Sequence, residues 1–157
     1  MITVGIALPK GDRADWAVQK LTELGVDAIA VLETERSVVR WAGERAEKGL
    51  VRLSRVARQA ASQARRTRLP TISGPLRVAG FPSATTAAAE PGAQAGPALE
   101  RPTVLIGPEG GWGESDLPSE MARVALGPGI LRTETAALAA ASLLIGLRSG
   151  LIGPGSL

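Results

Sequence analysis

The chain has 157 residues, 45% of them hydrophobic, which is enough for one domain with a real hydrophobic core. It contains neither Cys nor His, which excludes disulfides, thiolate metal sites, a cysteine nucleophile and the commonest general base. The formal net charge is +3, but ten basic and only two acidic residues lie between positions 36 and 68. We therefore expect metal-free chemistry that relies on Arg, carboxylates, backbone groups or a cofactor.

The first part of the chain alternates strand and helix patterns. In chain order, these predict a strand at 2–8, a helix at 12–24 and a strand at 26–32. Asp12 is suited to cap the helix and Gly25 to end it. The N-terminus lacks the features of a secretory signal, and no stretch is long and apolar enough to cross a bilayer. We expect a cytoplasmic protein without a membrane contact.

The basic segment has the pattern of a long amphipathic helix. From residue 44 to 66 there is no Pro, and apolar residues recur at spacings of three and four. Another face carries the stripe Arg45, Lys48, Arg52 and Arg55. A solvated helix face is one interpretation. The scarcity of acidic residues favours an anionic partner, first of all nucleic acid, held by its phosphates because aromatic residues for base stacking are few.

The second part of the chain begins with a segment of low regularity. A short strand is predicted at 71–73, but residues 74–102 are rich in Pro, Gly, Ala, Ser and Thr and predict mostly loop. The later patterns predict a buried strand at 102–107, a helix at 118–123, a strand at 123–127, a helix at 133–147 and a flexible tail at 148–157. Strands that alternate with helices predict an α/β fold with a parallel sheet flanked by helices.

Two glycine-rich segments directly follow predicted strands. The first, LIGPEGGWGESDL at 105–117, lacks the third Gly of a dinucleotide fingerprint and the Lys of a P-loop, which argues against a phosphate cradle. The second, LGPGILRTETAALAA at 126–140, leads into a helix. Parallel strands end at the same edge of a sheet, so both segments predict one ligand crevice lined by bare backbone. We expect a side chain at Gly110 to intrude on that packing.

These two segments resemble the RsmE-type methyltransferases of the SPOUT superfamily. Three earlier segments, KGDRADWAVQKLTELGV, ETERSVVRW and RVARQAASQARRTRLP, resemble other motifs of that family in the same order. The resemblance implies a C-terminal deep trefoil knot, a homodimer, and methyl transfer from S-adenosylmethionine (SAM) to N3 of a uridine in small-subunit (16S) ribosomal RNA. No counterpart of the family's N-terminal PUA-like domain is evident, so we expect a single SPOUT methyltransferase domain over 1–157.

The resemblance also implies site residues. Arg132 would stabilise the developing uridine anion, Glu134 is the nearest candidate to accept its proton, and Thr133 would donate hydrogen bonds near the reacting atoms. The expected cofactor-binding residues are Leu105, Ile106, Gly107, Glu109, Gly110, Gly111, Leu126, Gly127, Ile130, Leu131, Arg132, Thr135 and Ala136. The expected RNA-binding residues are Lys10, Arg13, Arg36, Arg52, Arg55, Arg65 and Arg66. No metal is expected.

Other interpretations stay open at this point. Helix capping competes with a catalytic role for Thr133 and Glu134, and a structural role competes with ligand binding for Glu109. Gln59 and Trp112 stand where the family usually has Glu and Phe. With the PUA-like domain absent, these departures leave room for a weakly active or non-catalytic module that binds SAM and RNA. A third possibility is a SPOUT methyltransferase that acts on another RNA, such as transfer RNA.

Overall fold

The structure, a computed structural model, describes residues 1–153. Its strands are β1 (Thr3–Ala7), β2 (Ala28–Glu33), β3 (Thr71–Arg77), β4 (Thr86–Ala89), β5 (Thr103–Ile106) and β6 (Ala122–Val124). Its helices are α1 (Arg13–Leu24), α2 (Gly43–Gln63) and α3 (Thr133–Arg148). All strand pairs are parallel, in the order β3-β2-β1-β5-β4-β6. The predicted α/β class with a parallel sheet is confirmed.

The helix ends follow the local sequence signals only in part. Gly25 ends α1 in a left-handed conformation (φ 105°), and its N–H donates to the carbonyls of Leu21 and Thr22. Asp12 precedes the helix as expected, but its side chain makes no capping hydrogen bond. In α2, the predicted apolar face is buried at Leu53 and in the turns that follow it, whereas the basic stripe is exposed.

The core lies mainly on one face of the sheet. Val4, Ile6 and Val104 point to this face and are covered by buried residues of α1, α2 and α3. A smaller apolar cluster on the other face, which includes Leu105 and Met121, is covered by the segments around residues 78–81 and 112–121. Within the described residues, all three helices therefore pack on the same side. That leaves irregular segments to close the other side.

Three sequence-based predictions are corrected in the second part of the chain. The strand after α2 runs over seven residues, because it pairs with β2 well beyond the TIS segment. β4 lies inside the segment predicted as mostly loop, where 3-10 helices also occur at 78–80 and 83–85. Residues 118–121 form a turn rather than a helix, closed by the Met121 N–H and the Pro118 carbonyl, and β6 follows at once.

The C-terminal end of the described chain follows α3. This helix extends to Arg148, one residue past its predicted end. Residues 149–153 continue without a helix or strand, and the end of the predicted tail, 154–157, lies outside the described residues. No helix in the described part of the chain is long and apolar enough to span a bilayer.

Candidate functional site

A cavity of about 300 Å³ lies at the carboxyl edge of the sheet, where β4, β5 and β6 end. Its volume falls within the range of small-molecule sites, and this edge is where ligands bind in open α/β sheets. Three segments supply the lining: residues 89–91 after β4, residues 106–112 after β5, and residues 126–136 after β6. The fold thus brings both glycine-rich segments to one site, together with a third segment that the sequence did not single out.

The first glycine loop, residues 107–116, is held from outside by two arginines. Arg13, at the start of α1, contacts Glu109 with 2.6 Å between Nη1 and Oε1. This hydrogen bond raises the pKa of the Arg13 guanidinium above its ordinary value. Arg36, which follows β2, donates from Nη1 to the Gly110 carbonyl at 2.9 Å. Two elements far from the loop in sequence therefore fix its tip.

Carboxylates fix the other half of the first glycine loop. Asp116 accepts from the Glu35 N–H at 2.9 Å and from the Gly113 N–H at 2.6 Å. Glu35 accepts from the Ser115 N–H at 3.0 Å and also from the Ser115 hydroxyl. The Ser115 side-chain and backbone hydrogen bonds hold the pKa of Glu35 below its ordinary value. The loop is therefore clamped to the segment after β2 along most of its length.

Close packing in the first glycine loop falls on Gly107 and Gly113. A Cβ at Gly107 would lie 3.0 Å from the Trp112 ring, whose Nε1 donates to the Ala89 carbonyl at 3.0 Å. A Cβ at Gly113 would lie 2.6 Å from the Glu35 Cβ, which no side chain tolerates without a shift. At Gly110 the nearest atoms, in Arg36, would be 3.7 Å away, so the expectation of tight packing there is wrong.

The second glycine loop, residues 126–131, is built differently. Within the described residues, none of its backbone N–H groups donates to a protein acceptor. Ile130 at its tip is 88% exposed. The loop is tied to its surroundings just past its end, where the Thr133 hydroxyl donates to the Gly107 carbonyl at 3.1 Å. Arg132, between loop and helix, is exposed and lies on the cavity wall.

Glu134 lies next to the cavity but does not line it. The residue is only 8% exposed, and its Oε1 is 3.6 Å from Nη1 of Arg13. Its Oε2 is buried and has no hydrogen-bond partner in the described part of the chain. Arg13 thus contacts carboxylates from both the first glycine loop and the start of α3. Burial of one acidic oxygen without a partner is costly, so this arrangement depends on the Arg13 charge.

The expected cofactor-binding residues divide into two groups. Those that line the cavity are Ile106, Gly107, Glu109, Gly111, Leu126, Gly127, Ile130, Leu131, Arg132 and Ala136, together with Thr133. Leu105 points to the opposite face of the sheet, Gly110 contacts Arg36, and Thr135 is exposed outside the lining. Sequence reasoning missed Glu90 and Pro91 as lining residues, and also Ala89, Pro108, Trp112 and Gly129. The signal for the first two was β4, whose Ala-rich sequence was not recognised as a strand.

The expected RNA-binding residues also divide by their contacts. Arg52 pairs with Asp15 of α1 at 3.2 Å. Arg66 donates to the Thr22 carbonyl at 2.6 Å. With Arg13 and Arg36 engaged at the first glycine loop, the remaining members of the expected RNA-binding set are exposed and contact no carboxylate among residues 1–153: Lys10, Arg55 and Arg65.

Comparison with known proteins gives a consistent picture. The family model of the RNA methyltransferase domain matches residues 1–145. The chain is 35% identical over 162 residues to the Mycobacterium bovis protein named ribosomal RNA small subunit methyltransferase E, covering 88% of this chain and 60% of that protein. A solved structure of a ribosomal RNA small subunit methyltransferase E from Neisseria gonorrhoeae, bound to S-adenosyl methionine, matches with a TM-score of 0.79 and 32% identity.

The structural matches cover most of this chain but only part of each relative. The Neisseria gonorrhoeae match covers 93% of this chain and 65% of that one. A probable rRNA-methyltransferase from Porphyromonas gingivalis matches with a TM-score of 0.79 and 30% identity, over 96% of this chain and 69% of that one. The chain therefore spans between 60 and 69% of the length of these three relatives.

Proposed function

This chain belongs to the RNA methyltransferase domain family, and we propose that it is a SAM-dependent methyltransferase that acts on N3 of a uridine in small-subunit (16S) ribosomal RNA. The resemblance to RsmE-type enzymes seen in the motifs is confirmed by relatives that carry that name. The observation that carries the proposal is the cavity at the carboxyl edge, which both glycine loops enclose. The structure of the Neisseria gonorrhoeae relative is bound to S-adenosyl methionine, which supports SAM as the ligand of this cavity.

The cavity suits SAM in shape and polarity. Ile106, Leu126, Leu131 and Ala136 give it apolar walls of the kind that accept a flat adenine ring. The second glycine loop offers backbone N–H groups that donate to no acceptor within the described residues. These N–H groups can donate to the polar atoms of a nucleoside, because glycine has no side chain to keep the ligand away from the backbone. We therefore assign cofactor binding to the two glycine loops and the start of α3.

SAM supplies an electrophilic methyl group on a sulfonium centre. The residues of the chain would have to orient uridine N3 towards that methyl group and stabilise the negative charge left on the base when the N3 proton passes to an acceptor. Arg132 lies on the cavity wall with no carboxylate partner in the described chain, so its guanidinium is available to stabilise the charge on the uridine. Thr133 contributes by holding the start of α3 against the first glycine loop.

Arg13 and Glu134 fit a positioning role better than a direct one. Glu134 faces Arg13 rather than the cavity, and Arg13 joins it to Glu109 of the first glycine loop. This contact fixes the spacing between two walls of the site. Glu134 as proton acceptor stays a prediction, which would require its carboxylate to turn from Arg13 towards the substrate.

Of the residues expected to bind RNA, we retain the three exposed ones whose side chains contact no carboxylate within the described residues. Lys10 lies three residues after the end of β1, Arg55 lies on α2, and Arg65 lies two residues after the end of α2. We propose that these exposed side chains contact phosphates, and that Arg52 and Arg66 mainly join α2 to α1. Replacing a phosphate-contacting Lys or Arg should reduce the salt dependence of RNA binding by about one unit of slope.

Two measurements test the function in sequence. Calorimetry with SAM and with its product S-adenosylhomocysteine should show binding of each to the folded protein. Small ribosomal subunits from a strain that lacks this methylation are then incubated with protein and labelled SAM, and the nucleosides are identified by mass spectrometry. We expect label in N3-methyluridine. Label in another nucleoside would overturn the uridine-N3 assignment, and labelling of transfer RNA alone would overturn the ribosomal one.

We propose that the chain also forms the family's trefoil knot in its C-terminal part. The support is the strand order, in which β5 lies between β1 and β4, and the Thr133 contact that brings the start of α3 to the end of β5. Knots are otherwise nearly absent from protein folds. Pulling the unfolded chain by its two ends should tighten the knot. The end-to-end length should then be shorter than that of a fully extended chain, which is about 3.6 Å per residue. Full extension would overturn the proposal.

We further propose that two copies associate into a homodimer. Several large apolar side chains outside the cavity are exposed on the single chain, among them Val38, Val51 and Leu69. Light scattering on the eluting protein should give twice the chain mass of 16.1 kDa. A mass of 16.1 kDa at micromolar concentration would overturn the dimer.

A further inference from the structure

Glu90 is a cavity residue to which neither the motifs nor the proposed reaction gives a role. It directly follows β4, and both its backbone N–H and its backbone carbonyl form hydrogen bonds. Its N–H donates to the Val124 carbonyl of β6 at 3.0 Å, and its carbonyl accepts from the Ala93 N–H at 3.3 Å. The position of the side chain at the cavity wall is therefore set by the sheet rather than by a free loop.

Only one of the two carboxylate oxygens of Glu90 contacts a basic side chain within the described residues. Its Oε2 forms an ion pair with Arg123 at 3.1 Å from Nε, and Arg123 also donates a hydrogen bond from Nη1 to the Met121 carbonyl. Its Oε1 has no donor among the described residues. Glu109, the other carboxylate lining the cavity within the described residues, is engaged with Arg13. Each of these two carboxylates keeps one oxygen without a donor within the described residues, and Glu90 is the one whose backbone is hydrogen-bonded to the sheet.

The chemistry of this group selects its partner. An ionised carboxylate only accepts hydrogen bonds, so the ligand must present donors. Arg123 already compensates the charge of Glu90, which makes neutral O–H donors better partners than a second cation. An acidic residue at the end of a sheet strand accepts from ribose hydroxyls in dinucleotide-binding folds, where the carboxyl edge of the sheet also holds the ligand.

We propose that Glu90 binds the ribose hydroxyls of the cofactor and that Arg123 is the positioning residue for its carboxylate. This inference rests on the proposed function, because it takes the cavity to be the SAM site. It makes the segment after β4 a specific part of the site, whereas the glycine loops mainly provide backbone groups. The competing partner for Glu90 is the ammonium group in the amino-acid part of the cofactor.

The test measures ligand affinity in wild type and in Glu90→Gln, a variant that keeps the shape and removes the charge. The ligands are S-adenosylhomocysteine, 5′-methylthioadenosine, which lacks the amino-acid part, and the 2′-deoxy and 3′-deoxy forms of methylthioadenosine. We expect the variant to bind the first two about tenfold more weakly, since hydrogen bonds to charged groups are among the stronger ones. Removal of a ribose hydroxyl should then cost the variant less affinity than it costs wild type.

Each other outcome is decisive. If Glu90→Gln weakens S-adenosylhomocysteine but not methylthioadenosine, Glu90 binds the ammonium group and the proposal is overturned. Equal affinities in wild type and variant overturn it too, while leaving the proposed function in place. Failure of wild type to bind any of these ligands overturns both. The matched control is Glu100→Gln, which changes an exposed carboxylate outside the cavity and should leave all affinities unchanged.

Discussion

The two glycine loops enclose one cavity but are built in opposite ways. The first, residues 107–116, is fixed by Arg13, Arg36, Glu35 and its own Asp116. The second, residues 126–131, donates no backbone hydrogen bond within the described part of the chain, and its tip is exposed. The first wall is therefore organised before a ligand arrives, whereas the second keeps its donors available. Changes in the first loop should mainly reduce stability, and changes at the second should mainly reduce binding or turnover.

Replacement of Arg132 next to the second loop should have the largest effect. Arg132→Ala removes an exposed guanidinium without an ion pair in residues 1–153, so the free energy of unfolding should hardly change. The loss of charge stabilisation at the uridine should lower kcat by about 10²- to 10³-fold while SAM affinity is retained. Single-turnover methylation of small ribosomal subunits measures this directly.

Arg148→Ala, at the other end of α3, is the matched control for Arg132→Ala. Arg148 pairs with Asp27 and donates to the Gly25 carbonyl, so its loss should lower stability and leave turnover unchanged. Unchanged turnover in Arg132→Ala would remove that residue from the mechanism. A similar loss of stability in both variants would mean that Arg132 also holds the fold, which would contradict an unpaired guanidinium beside the second loop.

The strongest effect on stability is expected at Gly113 in the first loop. In Gly113→Ala the new Cβ meets Glu35, so either the Glu35 contacts with Ser115 or the loop itself must shift. We expect a loss of about 2 kcal/mol in the free energy of unfolding, which for a domain of this size lowers the midpoint by roughly 4–8 °C. Thermal unfolding followed by circular dichroism measures it.

Gly129→Ala makes the same chemical change in the second loop. A Cβ there would meet nothing within 4 Å, so its unfolding midpoint should stay within about one degree of wild type. Equal destabilisation by the two alanines would contradict the difference between the loops. The pair also separates steric conflict from the general effect of replacing Gly, because both variants carry the same added methyl group.

Trp112→Phe tests the link between the first loop and β4 with a smaller expected effect. The substitution keeps an aromatic ring against Gly107 and removes the hydrogen bond from Nε1 to the Ala89 carbonyl. We expect a stability loss of about 1 kcal/mol and weaker SAM binding, because Ala89 and Glu90 line the cavity. Trp16→Phe, at an exposed position, is the control. Unchanged stability and affinity in Trp112→Phe would show that β4 is held without this bond.

The contrast between the loops also shows what the sequence could and could not predict. The strands β1 and β5 and the helices α1 and α3 follow from apolar periodicity and from glycine or proline at their ends. β4 does not, because its Ala residues favour no strand by themselves. They form one because they are buried between β5 and β6. Glu90 was missed as a cavity residue for the same reason.

Charge patterns predicted the basic residues but not their contacts. Arg52 of the basic stripe and Arg66 after α2 were both expected to bind RNA, yet both contact α1. Arg13 and Arg36 were expected at RNA and are found at the first glycine loop. These partners lie far away in the chain, so only the fold specifies them. The same holds for Gly110 and Gly113, whose different packing depends on where Arg36 and Glu35 lie.

The smallest expected effect is a change in how the unfolding midpoint depends on pH. It should arise from Glu35, which contacts the first loop. The pKa of Glu35 is lowered in the folded protein, so its hydrogen bonds to Ser115 add stability above the ordinary value of 4.5. That contribution is lost as the pH falls through the lower, folded pKa. Glu35→Gln should therefore lower the unfolding midpoint at pH 7, and the difference from wild type should shrink below about pH 4.5. Unfolding midpoints measured from pH 7 to pH 3 test this.

Glu100→Gln serves as the control for the acid response, since this exposed carboxylate accepts no hydrogen bond within the described residues. Its difference from wild type should be small and should not change with pH. The second loop contains no ionisable side chain between 126 and 131, so a fall in pH protonates no side chain in that loop. A difference between wild type and Glu35→Gln that stays constant down to pH 3 would mean that the Glu35 charge does not hold the first loop. The clamp would then rest on Asp116 and the two arginines alone.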